Sequence, residues 1–149
     1  MYRKQIEEYI DNHSQEMIED IFTLCRINSE KMPAEEGKPY GPGAARALAA
    51  AMKMAEGYGF AVRNYDNYVG TADLNHKERQ LDILAHLDVV PAGEGWQVTA
   101  PYEPVLKDGR LYGRGTADDK GPAVAALYAM RAVKDLGIPL KKNVRLILG

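Results

Sequence analysis

Apolar residues recur at helical spacing from the start of the chain. Ile6, Ile10, Met17, Ile21 and Leu24 fall on one side, with Glu7, Glu8, Glu16 and Glu19 between them. This pattern predicts an amphipathic helix of about 20 residues. A stretch rich in Pro, Gly and Glu over residues 28–43 reads as a loop. Residues 44–56 are dense in strong helix formers, and Gly57 and Gly59 stop the run. The period then changes. Residues 60–65 and 68–74 read as two short strands joined by an Asp66-Asn67 turn. After a polar connection, residues 81–90 form the most apolar strand candidate, expected to lie central in a sheet. A Gly- and Pro-rich loop follows to about residue 103. Val105-Leu106 and Arg110-Leu111-Tyr112 flank Asp108-Gly109 and read as a hairpin. Residues 122–136 are a second Ala-rich helix, stopped by Gly137 with Pro139 beyond. Residues 144–148 are a last apolar strand.

Strands and helices mix without strict alternation, which predicts an α/β fold with a mixed β-sheet flanked by helices. The 149 residues suit one domain. The near-balanced charge, net -2 with no basic stripe, argues against a nucleic-acid partner. The lone Cys25 rules out an intramolecular disulfide and fits a reducing compartment. The N-terminus lacks the apolar core of a signal peptide, and no run is long enough to span a bilayer. The expectation is a soluble cytoplasmic chain with no membrane partner. The last strand ends on Gly149 without a polar tail, which reads as a truncated piece of a longer protein. Such a piece is expected to expose apolar surface and to self-associate through the last strand or that surface.

Two short segments carry candidate chemistry. His86 and Asp88 stand at the end of the apolar 81–90 run, and residues i and i+2 of a strand share a face. An imidazole and a carboxylate then project side by side, at the carboxyl end of a strand where open α/β sheets place their sites. A metal-ligating His usually has such a partner on its second ring nitrogen. Taken alone, the pair reads first as a solvated strand end. Asp118-Asp119-Lys120-Gly121-Pro122 spans a loop-to-helix junction. A helix cap explains one of its aspartates, leaving the other to face a cation. Familiar alternatives are absent. Gly113-x-Gly115 has Asp118 where a dinucleotide loop needs its third glycine, and the 76–80 stretch lacks the second His of a zinc helix. Cys25 reads as core, and His13 and His76 as bystanders.

Taken together, His86-Leu87-Asp88-Val89-Val90-Pro91-Ala92-Gly93, then Gly95-Trp96, then Tyr112-Gly113-Arg114-Gly115-Thr116-Ala117-Asp118-Asp119-Lys120-Gly121-Pro122 resemble the M20 metallopeptidase family, most of all its dipeptidase V branch. The Gly59-Phe60-x-x-x-Asn64 stretch joins the match. The resemblance implies that residues 1–149 are the N-terminal portion of a zinc-exopeptidase-like catalytic domain. It implies His86 as a ligand of one zinc ion and Asp118 as the carboxylate bridging two zinc ions. Asp88 would be the catalytic-site acid that orients the His86 imidazole. Asp119 is not a ligand in this frame, and the peptide joining it to Asp118 is often cis. Residues 91–96 would help shape the substrate cleft.

The implied activity is metal-assisted hydrolysis of the amide bond of a small peptide, with a glutamate moving the water's proton. That glutamate, the remaining ligands and the closing lid domain would come from sequence beyond Gly149, so the isolated chain is expected to be inactive. An N-acyl amino acid deacylase or desuccinylase of the same family would share the site. A non-catalytic binding or assembly domain is the further alternative, against which the intact His86, Asp88 and Asp118 count.

Overall fold

A computed structural model describes residues 2–149. The helices are α1 (Arg3–Cys25), α2 (Pro42–Gly57) and α3 (Lys120–Asp135). The strands are β1 (Ala61–Tyr65), β2 (Val69–Asp73), β3 (Arg79–Ala85), β4 (Val105–Lys107), β5 (Arg110–Tyr112) and β6 (Asn143–Leu148). One sheet has the order β1-β2-β6-β3, while β4 and β5 form a separate hairpin. Only the β3–β6 pairing is parallel in the larger sheet. The mixed α/β architecture matches the sequence expectation.

Both hairpin turns have the chemistry their backbone requires. Asp66 and Asn67 have φ of 52° and 58°, and Asp108 and Gly109 have φ of 51° and 72°. Paired left-handed residues match the right-handed twist of the flanking strands. Helix α2 starts at Pro42, earlier than its run of helix formers suggests, because Pro fits a first turn. Its next residue must be glycine: a Cβ at Gly43 would lie 2.1 Å from the Asn28 carbonyl oxygen. That close approach pins the start of α2 to the chain leaving α1.

The core lies between the sheet and the helices. Leu24 and Cys25 of α1, Leu48, Ala51 and Ala55 of α2, and Val124, Leu127 and Tyr128 of α3 are buried together with Ala72, Ala85, Leu146 and Leu148 of the sheet. Alternation sends Thr71, Asp73, Arg145, Ile147 and Leu84 to the opposite face. Among the described residues, no helix is long and apolar enough to cross a membrane.

Two expectations need correction. The apolar 81–90 run does not make a central strand: β3 ends at Ala85 and pairs only with β6 among the described residues. Leu81 and Leu84 are 52% and 77% exposed. The run misleads because the apolar residues past Ala85 are buried beyond the end of the strand, Leu87 in the core between sheet and helices and Val89 against Gly115. Ser29 Oγ donates to the Leu87 carbonyl at 2.6 Å, and the Val89 N–H reaches the Ser29 carbonyl at 3.3 Å. The inner places belong to β2 and β6, and the two edges of β6 are taken by β2 and β3. The last strand therefore has no free edge for self-pairing, and the edges left open among the described residues are those of β1 and β3.

The charged residue of β6, Arg145, is fully matched. Arg145 pairs in register with Asp73 and grips its carboxylate at both oxygens, 2.9 and 2.7 Å. Asn143 donates to the same carboxylate at 2.5 Å. Burial alone would raise the Asp73 carboxyl, but these donors outweigh it and hold it below the usual carboxylate range. A depressed folded value means that stabilisation is complete above the ordinary carboxylate pKa and is lost as pH falls through the folded one. Asp73→Asn should therefore cost about 2 kcal/mol at neutral pH. Urea unfolding at neutral and at acidic pH checks this, and the gap between variant and parent should close in acid.

Candidate metal centre

His86 is the first residue beyond β3, so its backbone direction is inherited from the strand. Leu87 N–H donates to the Gly149 carbonyl at 2.7 Å, and Gly149 N–H to the Ala85 carbonyl at 3.2 Å. The parallel register with β6 thus continues for two residues past the strand. From there the imidazole stands among three acids. Its Nδ1 lies 3.0 Å from Asp88 Oδ1 and 3.2 Å from the Asp88 carbonyl oxygen. Its Nε2 lies 3.0 Å from Asp118 Oδ1. Its backbone N–H donates to Asp119 Oδ2 at 3.1 Å.

The His86 side chain is 48% exposed and that of Asp118 81% exposed, so the pair faces solvent. Partial burial would lower the imidazole pKa. The Asp88 charge and the Asp118 hydrogen bond more than offset it, so His86 stays protonated to higher pH than an ordinary histidine. Both ring nitrogens face acceptors, which suits the imidazolium.

Asp118 and Asp119 are joined by a cis peptide bond. The loop before them turns through Gly115, and the helix after them begins at once with a buried lysine. Lys120 is fully buried and donates to the carbonyls of Leu24 and Ile27 at 3.0 and 2.7 Å. Burial pushes its ammonium down to about 8. Gly121 runs so close to the loop that a Cβ would sit 1.9 Å from the Thr116 carbonyl oxygen.

The geometry thus gathers His86, Asp88 and Asp118 and leaves the other candidates apart. Asp82, an acid farther back on β3, pairs with Arg79 at 3.5 Å. His13 stacks on Tyr9 with ring centroids 4.0 Å apart, and Cys25 is core. Trp96 Nε1 donates to the Ala92 carbonyl at 3.0 Å, and the Arg114 guanidinium lies 5.6 Å from its ring. These residues line a groove of about 410 Å³. The expected helix cap is corrected. Asp119 holds the cap position but makes no side-chain cap hydrogen bond, because the Gly121 N–H goes to the Gly115 carbonyl and Pro122 has no N–H.

Two site residues escape sequence reasoning. Lys120 and Asp119 act on partners far away in the chain, and only the run of charge just before Gly121 hints that this junction is not ordinary.

The chain matches the model of "Peptidase family M20/M25/M40" over residues 83–149, a span that holds His86, Asp88 and Asp118. YtjP of Bacillus subtilis (strain 168), provisionally named a dipeptidase, is 39% identical over 137 residues, which are 91% of this chain and 29% of that protein. The crystal structure of human carnosine dipeptidase 1 superposes with a TM-score of 0.82 at 28% identity, covering 99% of this chain and 34% of that one. Residues 83–149, which carry the site, match the M20 peptidase family. The fold recurs in an M20 family metallo-carboxypeptidase from Sulfolobus solfataricus, with a TM-score of 0.73 at 24% identity over 89% of this chain and 30% of that one. The chain therefore spans about a third of the length of the relatives it matches.

The tight packing at the junction yields a test. Gly121→Ala should force the loop off the helix start, cost about 2 kcal/mol or more and separate the two aspartates from His86. Thermal melting gives the first effect and the NMR signals of the His86 ring the second. A variant as stable as the parent, with unmoved His86 signals, would contradict this packing.

Proposed function

We propose that this chain carries part of the metal centre of a dipeptidase, a hydrolase that cleaves the amide bond of a dipeptide at a two-zinc site. The carrying observation is the double hold on His86, with Asp118 at Nε2 and Asp88 at Nδ1, each at 3.0 Å. The names of YtjP and human carnosine dipeptidase 1 support dipeptides as the substrate class.

The residues present fit zinc in kind. An imidazole nitrogen and a carboxylate oxygen are both zinc donors, and two donors of one tetrahedral zinc stand about 3.3 Å apart. The 3.0 Å between Nε2 and Asp118 Oδ1 lies close to that. They fall short in number: among the described residues no group of three or more His, Cys, Asp or Glu side chains is placed to hold a metal ion. Catalytic zinc sites generally use three protein ligands. In this reading, residues 1–149 form the N-terminal portion of the catalytic domain, and the remaining ligands, the glutamate base and a lid come from further chain.

His86 would ligate one zinc through Nε2, and Asp118 would bridge two zinc ions. When bound, zinc supplies Lewis acidity that polarises the scissile carbonyl and acidifies water. Asp88 accepts from Nδ1–H and so leaves the Nε2 lone pair for a cation. Without a cation, a proton takes that place between Nε2 and Asp118. Metal and proton thus compete for one nitrogen, and the raised His86 pKa moves the competition upward in pH.

Calorimetric titration of the 149-residue chain with zinc alone tests the reading. Binding should be weak, and below the raised His86 pKa it should weaken further by up to about tenfold per pH unit. It should vanish in His86→Ala and Asp118→Ala. Unchanged affinity in either variant sinks the assignment. The chain by itself should hydrolyse no dipeptide. Robust hydrolysis that a chelator abolishes would show that two donors suffice.

A further inference from the structure

Asp119 occupies the cap position of α3 without capping it. The two donors that a cap normally serves are out of play, one taken by Gly115 and one missing at Pro122. Its carboxylate is therefore free for another partner. Asp119 Oδ2 reaches 33 positions back along the chain to the backbone N–H of His86, at 3.1 Å.

That N–H needs a partner. Around His86 the bonds towards β6 are made by Ala85 carbonyl and Leu87 N–H. Successive backbone groups of an extended chain point to opposite sides, so the His86 N–H points to the free edge of β3. The Asp119 oxygen fills the place where a neighbouring strand would accept. Because Asp118 and Asp119 are consecutive, one dipeptide holds the residue at two points: Asp118 at the ring and Asp119 at the backbone.

We infer that Asp119 is a positioning residue, whose carboxylate oxygen fixes the His86 backbone so that Nε2 is presented to Asp118. The role requires an acceptor of that reach and not a negative charge. It rests on the proposed metal centre only where zinc affinity is the readout.

Asp119→Asn and Asp119→Ser in the 149-residue chain separate the possibilities. Both replacements are preferred cap residues, so both support the start of α3. Only Asn keeps an oxygen at the distance of the original; the Ser hydroxyl is too short to reach His86. The first readout is hydrogen exchange of the His86 amide by NMR, without metal. The amide should stay protected in the parent and in Asp119→Asn and exchange about tenfold faster or more in Asp119→Ser. The second readout is zinc affinity, which should fall about tenfold or more in Asp119→Ser and stay near the parent in Asp119→Asn.

Unchanged exchange in Asp119→Ser overturns the inference, and so does an Asp119→Asn chain that behaves like Asp119→Ser, since charge would then be what matters. Unfolding of both variants overturns it too. Unfolding of Asp119→Ser alone, with the amide still protected in Asp119→Asn, supports it. If the parent binds no zinc while the amide opens only in Asp119→Ser, the positioning role stands and the metal reading falls.

Discussion

The arrangement of this chain depends on a buried ammonium. Among the described residues Lys120 has no carboxylate partner; its Nζ ends on the carbonyls of Leu24 and Ile27 as α1 runs out. A helix C-terminus carries partial negative charge and unpaired carbonyls, and a cation there answers both. The cost is desolvation, which shows as a lysine pushed down to about 8. In return the first turn of α3 is fixed to the last turn of α1. The residues just past that contact complete the frame. Ser29 holds the 87–89 segment from one side, and the Asp118-Asp119 dipeptide meets His86 from the other. Three stretches distant in sequence are thereby set against one imidazole.

The free edge of β3 shows how a sheet can end on chemistry. Edge strands leave backbone donors unpaired, and proteins cover or blunt them. Here the last such donor, the His86 N–H, is met by a side-chain carboxylate and not by another strand. A ladder would have served the backbone equally well but would have stood where the imidazole needs open space. The side-chain acceptor keeps the carboxyl end of β3 accessible, which is where an α/β sheet places its ligands.

Much of this was legible in the sequence, for reasons that differ between elements. The helices and both hairpins follow local rules: 3.6-residue periodicity, helix-stopping glycines, and turn residues that tolerate positive φ. The family frame around His86, Asp88 and Asp118 was legible because several short segments recur together in order. The position of β3 was not legible. Burial of Leu87 and Val89 past the end of the strand gives the same apolar signal as burial inside a sheet. Asp119 and Lys120 were hidden for a further reason. Their partners are backbone groups 33 and 96 positions away, and a backbone N–H or carbonyl leaves no trace in residue identity.

The balance of charge around His86 explains why the same side chains serve two states. Asp88, Asp118 and Asp119 surround a single imidazole, so the cluster carries an excess of negative charge whichever way the ring titrates. A protonated ring relieves part of it, and the raised imidazole pKa expresses that relief. In the proposed reading a divalent cation would relieve more, from the side where Asp118 stands largely in solvent. Asp88 and Asp119 need not move in such an exchange, because one acts on Nδ1 and the other on the backbone. Only Asp118 and the Nε2 proton occupy the place of the cation. The ring can therefore keep its orientation while its partner changes from proton to metal, and the reorganisation is confined to one carboxylate.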